Sequence, residues 1–367
     1  MADSDQGAPA LKEIFNRERF RHIASEAAAV SPAFDAHRFM AVATDDLDAL
    51  SIMQRLRQGA VAMHEALPLP FGQAVEVFRT LAPRVGHGFA SMILPEYVAL
   101  YGEKHFDLSM DALKFFTRFG SSEFAVRHFL QRDLERTLAV MCGWADDENE
   151  HVRRLASEGS RPRLPWSFQL KPLIADPSPV LPILGALKAD PSPYVRKSVA
   201  NHLNDIGKDH PDLLVEIVSH WDRSERATAW IAKHALRTLI KKGDPRALAL
   251  IGTSGKALVK VEAFSVTPAD VRLGTHVTIG AEIVSTAAEP QRLVADYAVQ
   301  YVKKNGAPSK KVFKLKEFDL PAGGRQPLSI RRAIRDFTTR KHNAGHHRVE
   351  LMVNGEVLAE GGFDLTV

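Results

Sequence analysis

The sequence predicts a mainly α protein that ends in a separate β domain, and three observations carry that prediction. First, apolar residues recur every three or four positions from Leu11 to about residue 252, the period of helices with one buried face. Second, part of this region repeats. Val152-Arg153-Arg154 in HVRRLASEGSRPRLPW matches Val195-Arg196-Lys197 in PSPYVRKSVANHL, 43 residues on, and a weaker copy puts Ile231 and Lys233 of AWIAKHALRTL in register 36 residues later. Third, from about residue 254 the apolar period drops to two and β-branched and aromatic residues become frequent, as strands require. Repeats of this length are stacked helix pairs of the HEAT kind, so the expected fold is an α-α superhelix followed by an immunoglobulin-like β-sandwich.

Residues 1–10 read as a flexible tail and 11–252 as the helical array. LKEIFNRERFRHIASEAAAV, LDALSIMQRLRQGAVAMHEAL and DALKFFTRFG each carry one apolar face. Pro68-Leu69-Pro70, Gly120-Ser121-Ser122 and two Asp-Pro-Ser-Pro segments at Asp176 and Asp190 separate the helices; Asp or Ser followed by Pro is a helix start. The first hundred residues are less regular and read as a helical cap. Thr253-Ser254-Gly255 is the expected hinge. Seven strands are expected over residues 257–367, with Asn354-Gly355 as the hairpin turn between the last two runs.

Composition narrows the function classes. Hydrophobic content of 45% and charged content of 25% are those of an ordinary globular protein, and no run of about 18 apolar residues is present to cross a membrane. The N-terminus lacks the basic and apolar regions of a signal peptide. Cys142 stands alone in TLAVMCGW, which excludes an intrachain disulfide and a cysteine metal cluster and fits a reducing cytoplasm. The net charge of +4 is a mild bias toward anionic partners, and from Lys256 on there are 17 Lys and Arg against 12 Asp and Glu. His342, His346 and His347 cluster without the spacing of a zinc site, and no Gly-rich phosphate loop or nucleophile elbow occurs, so no metal or cofactor is expected.

The chemistry-bearing residues gather around the repeats. Stacking sets successive second helices side by side, so Arg153, Arg154, Arg196, Lys197, Lys233 and Arg237 would line up as a basic strip, with Arg161 and Arg163 in the loop that follows. Such a strip suits a phosphate backbone. For Arg153 and Arg196 a second reading has equal weight, because the arginine after this valine in many HEAT repeats pairs with a neighbouring Asp. Glu158 ends its helix before Gly159, where a negative charge opposes the helix dipole, and it does so among four arginines. Asp205 is expected at the corresponding end in ANHLNDIG, next to Glu158 across the stack. Glu123 opens SSEFAVRHFL, where the dipole favours it. Trp166, after Pro165, is expected at the start of a new helix, as a core anchor or a stacking platform; Trp144, Trp221 and Trp230 read as core.

On HVRRLASEGSRPRLPW and DPSPYVRKSVANHLNDIGKDHPDLL, and on the order of helical array then sandwich, the chain resembles the AlkC branch of the alkylpurine DNA glycosylases, relatives of AlkD. The resemblance spans most of the chain. It implies hydrolysis of the N-glycosidic bond of cationic alkylated bases such as N3-methyladenine in double-stranded DNA, leaving an abasic site. The base would be released without being extruded into a pocket, in keeping with an open concave surface that has no deep pocket. It also implies that Glu123, Glu158 and Asp205 form the acidic group and that Trp166 contacts the lesion sugar or backbone. Arg154, Arg161 and Arg163 would hold phosphates, and the sandwich would close over the DNA with its basic strands. No lysine is placed as an amine nucleophile, so a monofunctional glycosylase acting as a monomer is expected. Two other readings fit the same pattern: a HEAT scaffold for a protein partner, and a lesion-binding protein without catalysis.

Overall fold

The computed structural model describes residues 11–253, 255–336 and 341–367. Helices follow one another to residue 250, and strands take over at 259. By contact the chain forms two compact units. One takes the residues up to Asp209 with Arg223–Ile231, and the other takes His210–Asp222 with Ala232–Val367. By contact, the division between them falls inside the helical region.

In the first unit, α1 (Arg17–Val30), α2 (Ala36–Ala43), α3 (Ile52–Ala66), α4 (Phe71–Val85), α5 (Ile93–Tyr101) and α6 (Phe106–Phe116) form the cap. Asn16 and Asp35 cap the first two helices by accepting from backbone N–H groups three residues on, and a Ser51/Gln54 capping box opens α3. Phe15, Phe20, Phe39 and Phe78 are fully buried here. Next come α7 (Val126–Arg132), α8 (Leu134–Trp144), α9 (Glu150–Gly159), α10 (Lys171–Ala175), α11 (Leu181–Ala186) and α12 (Pro193–Asp209). Helices α9 and α12, which carry the two copies of the repeated segment, pack directly on each other. Val152 and Val195, the matched valines, are both fully buried, so the repeat is a packing repeat first.

The second unit contains α13 (Pro211–Ser219), α15 (Arg237–Lys241) and α16 (Pro245–Leu250); α14 (Arg226–Ala235) runs from one unit into the other. Its strands are β1 (Val259–Thr267), β2 (Asp270–Arg272), β3 (His276–Ser285), β4 (Gln291–Val302), β5 (Pro308–Leu320), β6 (Arg325–Ala333), β7 (Gly345–Val353) and β8 (Glu356–Thr366). They form sheets of order β1-β3-β6 and β2-β8-β7-β4-β5. The strand not expected is β2, a three-residue segment that pairs parallel with β8; three residues are too few to display a period. Two apolar clusters fill the sandwich, one around Tyr297, Val349 and Phe363, the other around Ile283, Leu293 and Leu351. Asn354 and Gly355 both have positive φ, 49° and 82°, as the expected two-residue turn demands. A side chain at Gly355 would strike the backbone of Gly243, just after α15, so that turn seats against the helices of its own unit.

No helix among the described residues is long and apolar enough to cross a membrane. His342 pairs with Asp336, His346 with Asp364, and His347 stacks on Phe363.

Candidate active site

The end of α9 and the loop after it hold the centre of the site. Glu158 is the next-to-last residue of α9, and Gly159, expected just past the helix, is its last residue. Glycine is needed there for space, because a Cβ would lie 2.5 Å from Val126 Cγ1 on α7. Asp205 is not at a helix end either. Helix α12 continues through Gly207 to Asp209, so Asp205 sits one turn inside it. A glycine followed by Lys-Asp-His-Pro does not stop the helix until the proline region, where the chain turns into α13. Glu123 lies in the turn that leads into α7, whose first residue is Val126.

These three carboxylates are brought together, and two arginines string them into one network. Arg154 Nη2 lies 2.7 Å from Glu123 Oε2 and 3.8 Å from Glu158 Oε1. Its Nη1 donates to Ser121 Oγ at 3.2 Å, and Ser121 in turn donates to Glu123 at 3.0 Å. Arg161 donates through Nη1 to Glu158 Oε1 at 2.7 Å and through Nε to Asp205 Oδ2 at 2.8 Å. Lys208 closes the row on Asp205 Oδ1 at 2.7 Å. Burial opposes the charge of Arg154 and Arg161, but the carboxylates beside them outweigh it and hold both guanidinium groups above their ordinary value.

The network faces a cleft of ≈ 570 Å³. Glu123, Glu158, Arg154 and Arg161 line it, and Asp205 stands behind Arg161, its side chain 2% exposed. The aromatic residues Phe89, Phe119, Trp166 and Tyr194 line the same cleft. The loop of Leu164, Pro165 and Trp166 forms part of the wall of this open cleft. Tyr194 was not singled out from the sequence, although it directly precedes the matched valine. Its ring lies 4.7 Å below the Arg154 guanidinium and meets His151 edge-on.

Trp166 does not begin a helix; it sits in an irregular loop at φ 65°, five residues before α10. It is 58% exposed, and its ring meets Phe89 edge to face at 6.0 Å. A bulky residue in left-handed backbone costs about 1–2 kcal/mol, a strain that loops at functional sites tolerate. Replacing Trp166 by Gly should therefore leave the melting temperature unchanged or slightly higher. It should also weaken binding to an abasic duplex by about 1–3 kcal/mol, the worth of one aromatic stacking contact, read by fluorescence anisotropy.

The basic strip is thinner than the sequence suggests. Arg153 forms a two-bond fork with Asp190, with Nε–Oδ2 at 2.7 Å, and caps the carbonyls of Asp147 and Glu148. Arg196 donates to the carbonyls of Asp190 and Pro191. Both hold the turn between repeats, and for Arg153 this is the second of its two readings, a pair with an Asp of the neighbouring repeat. Arg161 is likewise turned inward, as described. Arg163 pairs with Asp209 through two bonds, 2.9 and 2.8 Å, at a partly exposed position. Lys197 is exposed on α12. In the second unit Lys233 pairs with Glu317 of β5, and Arg237 donates to the carbonyl of His234.

With this geometry in view, comparisons with known proteins place it. Residues 104–239 match the family model described as DNA alkylation repair enzyme, and residues 260–367 match that of the C-terminal Ig-like domain of the uncharacterised protein YhaZ. The chain is 40% identical to the uncharacterised YhaZ of Bacillus subtilis (strain 168), over 95% of this chain and 97% of that protein. It is also similar to a solved structure, the Pseudomonas fluorescens alkylpurine DNA glycosylase AlkC bound to DNA containing an abasic site analogue. That similarity has a TM-score of 0.94 and 54% identity, covering 98% of this chain and all of the other.

Proposed function

This protein belongs to the AlkC family of alkylpurine DNA glycosylases, and we propose that its carboxylate row hydrolyses the N-glycosidic bond of cationic alkylated bases of the N3-methyladenine type in duplex DNA. The observation that carries this reading is that Glu123, in the turn before α7, and Glu158, near the end of α9, face one cleft beside an exposed tryptophan. A base alkylated at N3 already carries a positive charge, so it needs no general acid to leave. When the C1′–N bond breaks, its electron pair goes to the base, which departs neutral, and the positive charge passes to the sugar. Carboxylates beside C1′ stabilise that charge where it develops, and one of them accepts the proton of the water that attacks C1′.

The remaining residues support this assignment. Asp205 holds Arg161 against Glu158, and Arg154 sets the spacing of Glu123 and Glu158. Lys197 on α12 and the partly exposed Arg163 in the cleft loop supply phosphate contacts; in the sandwich, Lys303, Lys304, Lys311 and Lys341 around one hollow supply others. The product is an abasic site, and the base is released without a dedicated pocket for an extruded nucleotide. The test is release of N3-methyladenine from methylated duplex DNA under single-turnover conditions. Release without strand cleavage supports a monofunctional glycosylase, and tight DNA binding without release supports the lesion-binding alternative.

A further inference from the structure

We propose that Arg127, on α7, is a positioning residue for this site, tying together in one buried fork the helix end that carries Glu158, the turn that carries Arg161 and the loop that presents Trp166. The inference rests on the reading of the carboxylates given above.

The Arg127 side chain is fully buried. Its Nη1 donates to the carbonyls of Gly159 at 3.0 Å and Arg161 at 2.6 Å, and its Nη2 donates to the carbonyl of Phe168. Those acceptors are the residue after Glu158, the residue that bridges Glu158 to Asp205, and the residue two beyond Trp166. The Phe168 ring adds a contact, 5.4 Å from the guanidinium, and meets the His128 ring in a T-shaped arrangement. The loop has few ties of its own. Backbone bonds from Arg161 to Glu158 and from Ser167 to Leu164 are long, at 3.3 and 3.4 Å, and only that from Leu170 to Pro162 is of ordinary length, 3.0 Å.

Burying a guanidinium against carbonyls alone is a costly way to fill a core, and an apolar side chain would serve stability as well. What only arginine supplies is a planar fork whose donors reach three carbonyls at once; a lysine ammonium is a single point. The Nε donor of Arg127 is left without a partner, which also speaks for placement over saturation. Burial pushes the guanidinium down to about 10, helped by Arg161, while Asp205, Glu123 and Glu158 pull it back up; it stays charged at neutral pH. The two histidines that feel this charge, His128 and His202, are both held below their ordinary value by burial. The close approach of α7 to α9 at Gly159 is what lets the fork reach.

The experiment compares wild type, R127K and R127M in single-turnover base release, abasic-duplex affinity and amide hydrogen exchange. Both variants are expected to bind the abasic duplex within about fivefold of wild type, a modest loss beside the tenfold that each 1.4 kcal/mol carries. Release should fall by about 10²-fold, the cost of misplacing reacting groups by an ångström, and lysine should not rescue it. Exchange should accelerate in peptides covering residues 160–170 and not in α1–α6. G159A, which forces α9 away from α7, should reproduce the pattern if either Arg127 variant fails to fold. Recovery of release in R127K overturns the proposal, as does a loss of release matched by equal loss of affinity with exchange accelerated throughout. If E158Q keeps wild-type release while R127K loses it, the carboxylate reading fails and the positioning role stands.

Discussion

Replacing Glu158 by glutamine is expected to slow release of N3-methyladenine by about 10²–10³-fold, the usual loss when one preorganised electrostatic contact to a transition state is removed. The substitution keeps the side chain's shape and its ability to accept from Arg161, now 2.7 Å away. It removes only the negative charge, so affinity for an abasic duplex should stay within a few-fold of wild type. E123Q should behave alike, because Glu123 shares Arg154 with Glu158 and lines the same cleft. D205N should also lower release by orders of magnitude, by loosening Arg161. Wild-type rates in both E158Q and D205N would remove the carboxylates from the mechanism and favour binding without catalysis.

Removing the Arg161 cation should cost stability as well as activity. Its side chain is 9% exposed and bridges two carboxylates that are 8% and 2% exposed. Arg161→Met leaves those charges buried with less compensation, a change that typically costs about 3–5 kcal/mol. Lys208 remains on Asp205, so the loss should fall at the lower end, near 3 kcal/mol, and thermal or urea melts would register it. The same variant separates the two roles open to this arginine. If Arg161 held a phosphate instead, the melting temperature would be unchanged and the slope of log affinity against log salt would drop by about 0.9. Arg163, paired with Asp209 at 29% side-chain exposure, is the residue for which that second pattern is expected.

Much of this arrangement was legible in the sequence, because period and repeat report burial directly. The switch of apolar period near residue 254, the matched valines and Asn354-Gly355 led to the helical array, the α9–α12 stack and the hairpin turn. Glu158 and Asp205 are neighbours across the α9–α12 stack as expected, but Asp205 lies one turn inside α12 rather than at its end, and Arg161 bridges the two. What sequence could not tell was which way charged side chains turn. A strip of arginines looks the same whether each meets a phosphate, as first expected of Arg161, or a carboxylate 44 residues away, as the structure has it. Trp166 was misjudged for a related reason: proline followed by tryptophan reads as a helix start, and left-handed backbone at a bulky residue leaves no local trace. Arg127 and Tyr194 were passed over because a lone arginine in an apolar helix and a tyrosine before a buried valine carry no motif. The available signal was the cost of burial, since an arginine between Val126 and Phe129 on a buried face needs a partner.

On this reading the carboxylate row serves a positive charge on the sugar. The decisive comparison is the affinity of wild type and E158Q for two duplexes. One carries a neutral tetrahydrofuran abasic analogue, and the other carries a pyrrolidine analogue with a protonated nitrogen at the sugar position. Wild type should bind the cationic duplex at least about tenfold more tightly, or 1.4 kcal/mol, and E158Q should lose most of that preference. Equal affinity of wild type for the two duplexes would contradict it.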